Sequence, residues 1–356
     1  MLTEPSHSQI TTKFTVLHWL YIERSFTILK ECESFRKDMM SPGTVISLGS
    51  VNADFQVRVD RRPNLNETLP AHDFIKLSGG KAANVAYLAR RLGISATLIA
   101  RVGADSLQEQ ALQPLREIGV DLQYVRAVEG KSTGVSMITV PPDGNKGIIL
   151  AENANQDWCS EDVPMVSRAI ENAPPGSVLV VDYEIAPFMV EHAIAIACEG
   201  GIPVLLDPSP TDRVEQKIFS QVNYILPDAG EAKRLTGIES DSVDSAVQAA
   251  RYFVEHGVEN ACVKLSDGGC VLANREIVLH VPPISVNVVD TTGAGDAFAG
   301  GLAVAVLEGR SLRDAACFAT AASHAAVTKY GSQPAYPTRS EIDALFKQLI
   351  NQTHVL

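Results

Sequence analysis

From Thr44 onward, short β-rich apolar runs alternate with segments of helical spacing, and this alternation limits the fold more than any other feature of the chain. Strand-like runs at Thr44–Val51, Ala96–Val102, Ser177–Asp182, Pro203–Leu206, Val222–Leu226 and Ala261–Leu265 interleave with helix-like stretches. The helices fall at Lys81–Leu92, Leu107–Ile118, Pro187–Cys198, Ala229–Leu235 and Val243–Glu255. Two of them stop at a glycine, Gly93 and Gly119, the residue that best tolerates the left-handed turn closing a helix. Such a pattern predicts parallel strands joined by crossover helices that cover both faces of the sheet. The last third reads as helical, over Ala294–Glu308, Leu312–Lys329 and Arg339–Ile350. One large α/β domain can hold most of the 356 residues.

Two segments break the alternation. Phe55–Leu77 is polar, contains Pro63 and Pro70, and has short strand-like pieces. Ser132–Leu150 reads as a hairpin turning at Pro141–Asn145. Strands without crossover helices predict a small sheet projecting from the core: a flap over a substrate, an edge extension or a dimer contact.

Composition narrows the function. A net charge of −12 argues against a nucleic-acid binder, which carries a basic footprint. Six scattered cysteines without a CxxC pair read as reduced residues of a cytoplasmic protein. No run of 18 apolar residues predicts a membrane span. Residues 1–42 contain an apolar patch, Phe14–Ile22, interrupted by His18. They read as an extension: an appended helix, a disordered tail, or sequence upstream of a start at Met39 or Met40.

Several motifs are excluded. Gly130-Lys131-Ser132 looks like the end of a phosphate-binding loop, but the first glycine it needs would stand at Val125, and a hairpin follows instead of a helix. There is no GxGxxG, GxSxG or HExxH, and the eight histidines do not cluster with metal-ligand spacing.

Asp290-Thr291-Thr292-Gly293-Ala294-Gly295-Asp296 does carry chemistry. It sets a carboxylate at each end of a Gly-containing turn before the apolar helix Ala297–Leu307. Free backbone N–H groups at a helix start bind anions, and a neighbouring carboxylate can take a proton from an attacking hydroxyl. Together these suggest phosphoryl transfer to an alcohol. Gly79-Gly80-Lys81-Ala82-Ala83-Asn84 precedes another helix; its glycines allow close approach of a ligand, and Asn84 can donate to and accept from a hydroxyl. Asn52-Ala53-Asp54 follows the first strand, where parallel sheets bind ligands, and Asp54 can accept from two neighbouring hydroxyls.

Gly79–Ala86 and Asp290–Leu302 resemble, in order, the two signatures of the ribokinase/PfkB family of carbohydrate kinases. Leu226-Pro227-Asp228-Ala229-Gly230-Glu231 resembles the family's Pro-Asn-x-x-Glu motif, Lys264–Gly269 its nucleotide loop, and Gly331–Ile342 the C-terminal segment of ribokinases. The resemblance runs from about Thr44 to Ile350. It implies a three-layer α/β/α sandwich with a mostly parallel central sheet and a small β-sheet lid. The kinase domain would span 43–351, with the lid at roughly 55–77 and 132–150 and a tail at 352–356.

The resemblance also implies roles. Asp296 would be the base and Gly293, Ala294 and Gly295 the anion hole. Asn52, Asp54, Gly80, Lys81, Asn84 and Glu184 would contact the sugar. Asp228, Lys264, Ser266, Gly269 and Gly295 would contact ATP, and Glu231 would hold Mg²⁺ through water. Asp290 and Thr292, with backbone groups near Ala326, Lys329, Gly331 and Ala335, would form a K⁺ site. Asp228 departs from the motif, since an ionised Asp cannot donate to a phosphate as Asn can. The implied activity is ATP-dependent phosphorylation of a sugar, with ribose first and other sugars, sugar acids or nucleosides as alternatives. A catalytically silent sugar-sensing protein on the same fold is a reading of another class. The lid would also be the interface of a homodimer.

Overall fold

The structure, a computed structural model, describes residues 43–356; the extension expected at 1–42 lies outside the described residues. Adjacent residues of the central strands feed two different cores. In strand β8 (Val178–Asp182), Val178 and Val180 join one apolar cluster, while Leu179 and Val181 join another. Leu205 and Leu206 of β9 (Val204–Asp207) divide in the same way. Because side chains alternate across a sheet, continuous apolar runs such as Val178–Val181 need cover on both faces.

Helices supply that cover. One face is packed by α1 (Lys81–Arg91), α2 (Leu107–Ile118), α7 (Ala294–Leu307), α8 (Leu312–Ala326) and α9 (Arg339–Gln352). The other is packed by α3 (Val163–Glu171), α4 (Pro187–Glu199), α5 (Ala229–Thr236) and α6 (Val243–Glu255). The result is the expected three-layer sandwich. The central sheet has ten strands in the order β14-β13-β12-β11-β10-β9-β8-β1-β4-β5. It is parallel from β11 (Asn260–Lys264) through β10 (Tyr224–Ile225), β9, β8, β1 (Thr44–Leu48) and β4 (Ser95–Gly103) to β5 (Asp121–Val128). Beyond β11 it turns antiparallel through β12 (Cys270–Ala273), β13 (Val278–Val281) and β14 (His354–Val355).

A second sheet forms the lid, in the order β3-β2-β6-β7. Its strands are β2 (Asn52–Arg58), β3 (Ile75–Gly79), β6 (Gly134–Val140) and β7 (Gly147–Ala151).

Several boundaries differ from the sequence reading. The first strand stops at Leu48, and Asn52–Asp54 opens lid strand β2 instead of forming a loop after β1. Strand β5 escaped notice because it is a partly exposed edge with Asp, Gln and Arg among its apolar residues. The helix expected to reach Lys329 ends at Ala326, and the next carbonyl, Val327 O, accepts from Val289 and Asp290 instead. The expected tail at 352–356 includes β14, which pairs with β13.

Helices α7 and α8 pack closely because their contact is lined by small residues. A Cβ at Gly301 would lie 2.9 Å from Ala322 Cβ and 3.2 Å from Ala319 Cα. Overpacking of this kind costs about 1–3 kcal/mol. Gly301→Val is therefore expected to lower the urea midpoint of unfolding by a corresponding amount. An unchanged midpoint would contradict this packing.

Candidate active site

The lid and the C-terminal ends of the parallel strands enclose a cavity of about 870 Å³. Crevices at strand C-termini are where open α/β sheets bind ligands. The sequence-predicted residues Asn52, Asp54, Gly80, Lys81, Asn84 and Glu184 all line it. So do Asp228, Glu231, Lys264, Ser266 and Gly269, together with the turn from Thr292 to Asp296. Asp290, Ala326, Lys329, Gly331 and Ala335 lie outside the cavity lining.

Backbone geometry explains two of the glycines. Gly80 precedes α1 with φ 94°, and a Cβ there would lie 2.5 Å from Ser50 O. Gly293 precedes α7 with φ 73°, and its Cβ would meet the Tyr336 hydroxyl at 2.6 Å. Both positions demand a left-handed backbone and an absent side chain. They aim the first turns of α1 and α7 into the same cavity.

The facing helix starts are joined through Asp296. Its Oδ2 accepts from Asn84 Nδ2 at 2.7 Å, and Lys81 Nζ lies 3.8 Å from Oδ1. Asn84 is held in turn by Gln333, whose Nε2 donates to Asn84 Oδ1 at 3.1 Å. At the start of α7 the Ala294 amide donates to Thr291 O, while those of Gly293 and Gly295 have no acceptor among the described residues. The free amides of the expected anion hole are thus those of the two glycines.

Below this pair lies a buried charge cluster. Lys81 Nζ donates to Asp207 Oδ2 at 3.2 Å. Burial pulls the Lys81 ammonium down, but Asp207, Asp296 and Glu184 outweigh it and hold it well above the usual lysine value. Burial likewise pushes Asp207 up, and Lys81 and Lys264 reverse the shift to below normal. At Asp182 the pull of Lys81 is outweighed: burial, then Glu184, hold it well above the carboxylate range. Burial also raises Glu184, whose Oε2 accepts from the Ser50 hydroxyl at 2.6 Å.

On the lid side, Asp54 is buried and its Oδ1 has no partner among the described residues. Burial raises it to about 7, against the opposing Ser136 hydroxyl. A buried acceptor without a donor costs stability until a ligand supplies one.

Asp228 caps α5. Its Oδ1 accepts from the Glu231 amide at 2.7 Å, and Glu231 Oε2 accepts from the Asp228 amide at 2.8 Å. Each carboxylate keeps one oxygen outside this reciprocal cap. Among the described residues no group of three or more His, Cys, Asp or Glu could hold a metal. Two carboxylates suit a hard divalent cation that keeps waters and takes phosphate oxygens, not one caged by protein alone.

Asp290 is spent on hydrogen bonds. Its Oδ1 accepts from the Thr292 amide and hydroxyl, and its Oδ2 from Gln56 Nε2 at 2.5 Å and the Gly331 amide at 2.9 Å. The carboxylate anchors the turn, and a cation beside it would have to rest on carbonyl oxygens. The Gly331 amide is within that network, and the Lys329 side chain donates to Glu341 at 2.7 Å.

Sequence reasoning missed Asp182, Asp207, Gln56, Gln333 and Lys146. The two acids had a readable signal, since each is a polar residue ending an apolar strand. The others are brought in from distant segments and carry no local signal.

An acidic cavity roomy enough for more than a sugar, a carboxylate at a helix start and free amides beside it suit the movement of an anionic group onto a hydroxyl. The chain belongs to the pfkB family of carbohydrate kinases, whose family model matches residues 43–339. It is 34% identical over 298 residues to the ribokinase of Haemophilus influenzae, covering 84% of this chain and 96% of that one. It is 32% identical over 292 residues to the deoxyribokinase of Salmonella typhimurium, covering 82% and 94%. The structure of Arabidopsis thaliana ribokinase complexed with ribose and ATP is similar with a TM-score of 0.75 and 30% identity, over 86% of this chain and 99% of that one.

The raised Asp54 has a consequence for stability. Protonation is favoured in the fold, so its contribution is present at low pH and is lost as pH rises through about 7. In the ligand-free protein, Asp54→Asn removes that loss. The variant should gain about 2–3 kcal/mol over wild type between pH 5 and pH 8 in urea unfolding. A difference independent of pH would refute the shifted group.

Proposed function

We propose that this protein transfers the γ-phosphoryl group of ATP to a sugar hydroxyl, with ribose as the first candidate and the 5-hydroxyl as acceptor. The observation that carries the reading is Asp296 in the first turn of α7, beside free amides and within reach of Lys81 and Asn84. In this reading Asp296 takes the proton of the attacking hydroxyl. The amides of Gly293 and Gly295 meet charge on the transferring group, and positioning does most of the remaining work.

Asp54 and Asn52 on the lid, with Gly80, Lys81, Asn84 and Glu184 opposite, would hold the sugar. Asp54 then gains the donor it lacks. Lys264, Ser266 and Gly269 would line the nucleotide end. Mg²⁺ would be held by Glu231, through water, with the free oxygen of Asp228 nearby; it would neutralise charge on the phosphates. K⁺ activation would act on carbonyls behind the Asp290 turn, from Thr292 and the 326–335 segment.

Deoxyribose is a second reading, supported by the similarity to a deoxyribokinase. The apolar outer face of the lid supports a homodimer through it: Phe74, Met137 and Ile149 are exposed there, and Phe55 stacks on Phe74. No described helix is long and apolar enough to cross a membrane. We assign the activity to residues 43–351.

Coupled assays with ATP across pentoses, deoxypentoses, hexoses, sugar acids and nucleosides should give the highest kcat/KM with ribose or deoxyribose. No turnover with any of them would refute the kinase reading. Asp296→Asn should lower kcat at least about 100-fold while leaving sugar binding within a few-fold; retained turnover would remove Asp296 as the base. Asp228→Asn keeps an N-cap acceptor and removes a negative charge, so ATP should bind as well or better. A clear loss of ATP affinity would contradict that assignment.

A further inference from the structure

The cavity is strongly acidic for a site that must accept an anionic nucleotide. Its carboxylates are Asp54, Glu184, Asp228, Glu231, Asp267 and Asp296, against the ammonium groups of Lys81, Lys146 and Lys264. Lys81 is already committed to Asp207 and Asp296. A triphosphate entering so acidic a space needs cations that are not spent on protein carboxylates.

Lys146 is such a cation. It sits between lid strands β6 and β7, is half-buried, and lines the cavity. Among the described residues its ammonium has no carboxylate within ion-pair distance. Its hydrogen-bond partner is a neutral carbonyl, Thr291 O at 2.9 Å. That carbonyl is shared, because the Ala294 amide also donates to it at 3.2 Å. Burial lowers the Lys146 ammonium, and Asp296 opposes that shift. A half-buried ammonium with one shared neutral acceptor is poorly compensated until an anion arrives.

The hairpin holding Lys146 is itself fixed to the anion-binding turn. Gly144 O accepts from the Thr291 amide at 3.2 Å and from the Thr291 hydroxyl at 2.8 Å. The lid tip and the start of α7 are therefore tied through one residue, Thr291, two positions before Gly293. This linkage places a lid-borne charge beside the free amides of Gly293 and Gly295.

We propose that Lys146 is a phosphate-binding residue: its ammonium contacts the terminal phosphoryl group of the nucleoside triphosphate and follows it in transfer. The proposal rests on the kinase reading for its substrate, but the charge at Lys146 can be tested without turnover. No bond to Lys146 forms or breaks; it supplies a charge-assisted hydrogen bond to phosphoryl oxygen.

The experiment compares full-length wild type with Lys146→Met and Lys146→Arg. Calorimetry with ADP and with a non-hydrolysable ATP analogue measures the preference for the third phosphate, and steady-state kinetics with ribose measures transfer. Thermal melting identifies any variant that is not folded. Lys146→Met is expected to lose at least tenfold in affinity for the analogue while keeping ADP affinity. Its kcat should fall about 10–100-fold with sugar KM little changed. Lys146→Arg should recover most of both, since it keeps the charge. Wild-type analogue affinity and turnover in the Met variant would overturn the proposal. Equal losses in the Met and Arg variants would also overturn it, because they would trace the effect to the hairpin and not to its charge. If wild type phosphorylates no sugar, the kinase reading fails, and the binding comparison still decides the role of Lys146.

Discussion

A half-buried lysine holds the site together. Lys81 opens α1, and its ammonium reaches Asp207 at the end of β9 and Asp296 in the first turn of α7. A charge removed from water must be paired or it destabilises the fold by several kcal/mol. Pairing it with two carboxylates from different elements fixes where those elements end relative to one another. The surrounding acids have unequal support. Asp207 is held below its usual range chiefly by Lys81, whereas Asp182, with Glu184 beside it, is raised by burial.

The lid depends on the same turn. Gln56 of β2 donates to Asp290, and the β6–β7 hairpin docks on Thr291 through Gly144 and Lys146. Strand β2 and the hairpin thus both attach to the segment that presents the free amides and Asp296. A sheet built over the cavity is positioned by the loop it covers. Sugar-contacting residues on the lid and the anion site on the core are then parts of one hydrogen-bonded frame. Gln56 is fully buried, and its Oε1 has no partner among the described residues. Its amide is therefore committed to Asp290 at the expense of its own carbonyl.

Much of this was legible in the chain. Continuous apolar strands separated by helices gave the layered sandwich, because a strand such as Val178–Val181 has no polar face to show to water. The Asp290–Asp296 turn and the Gly79–Asn84 junction were readable because each combines glycines with polar groups at a helix start. Pairings across long separations were not readable. Nothing local to Lys146 indicates Thr291, and nothing local to Gln333 indicates Asn84. Strand β14 was missed for a related reason: it is two residues long and exists only through its pairing with β13. The role expected of Asn84 was also incomplete, since its amide donates to Asp296 in addition to facing the cavity.

The central claim is that the start of α7 receives the phosphoryl group while Asp296 faces the acceptor hydroxyl. A crystal structure with ribose, ADP and aluminium fluoride tests it most directly. The geometry requires the fluoride at hydrogen-bonding distance from the Gly293 and Gly295 amides, with one ribose hydroxyl between it and the Asp296 carboxylate. Fluoride bound away from these amides, or a sugar with no hydroxyl near Asp296, would contradict the account.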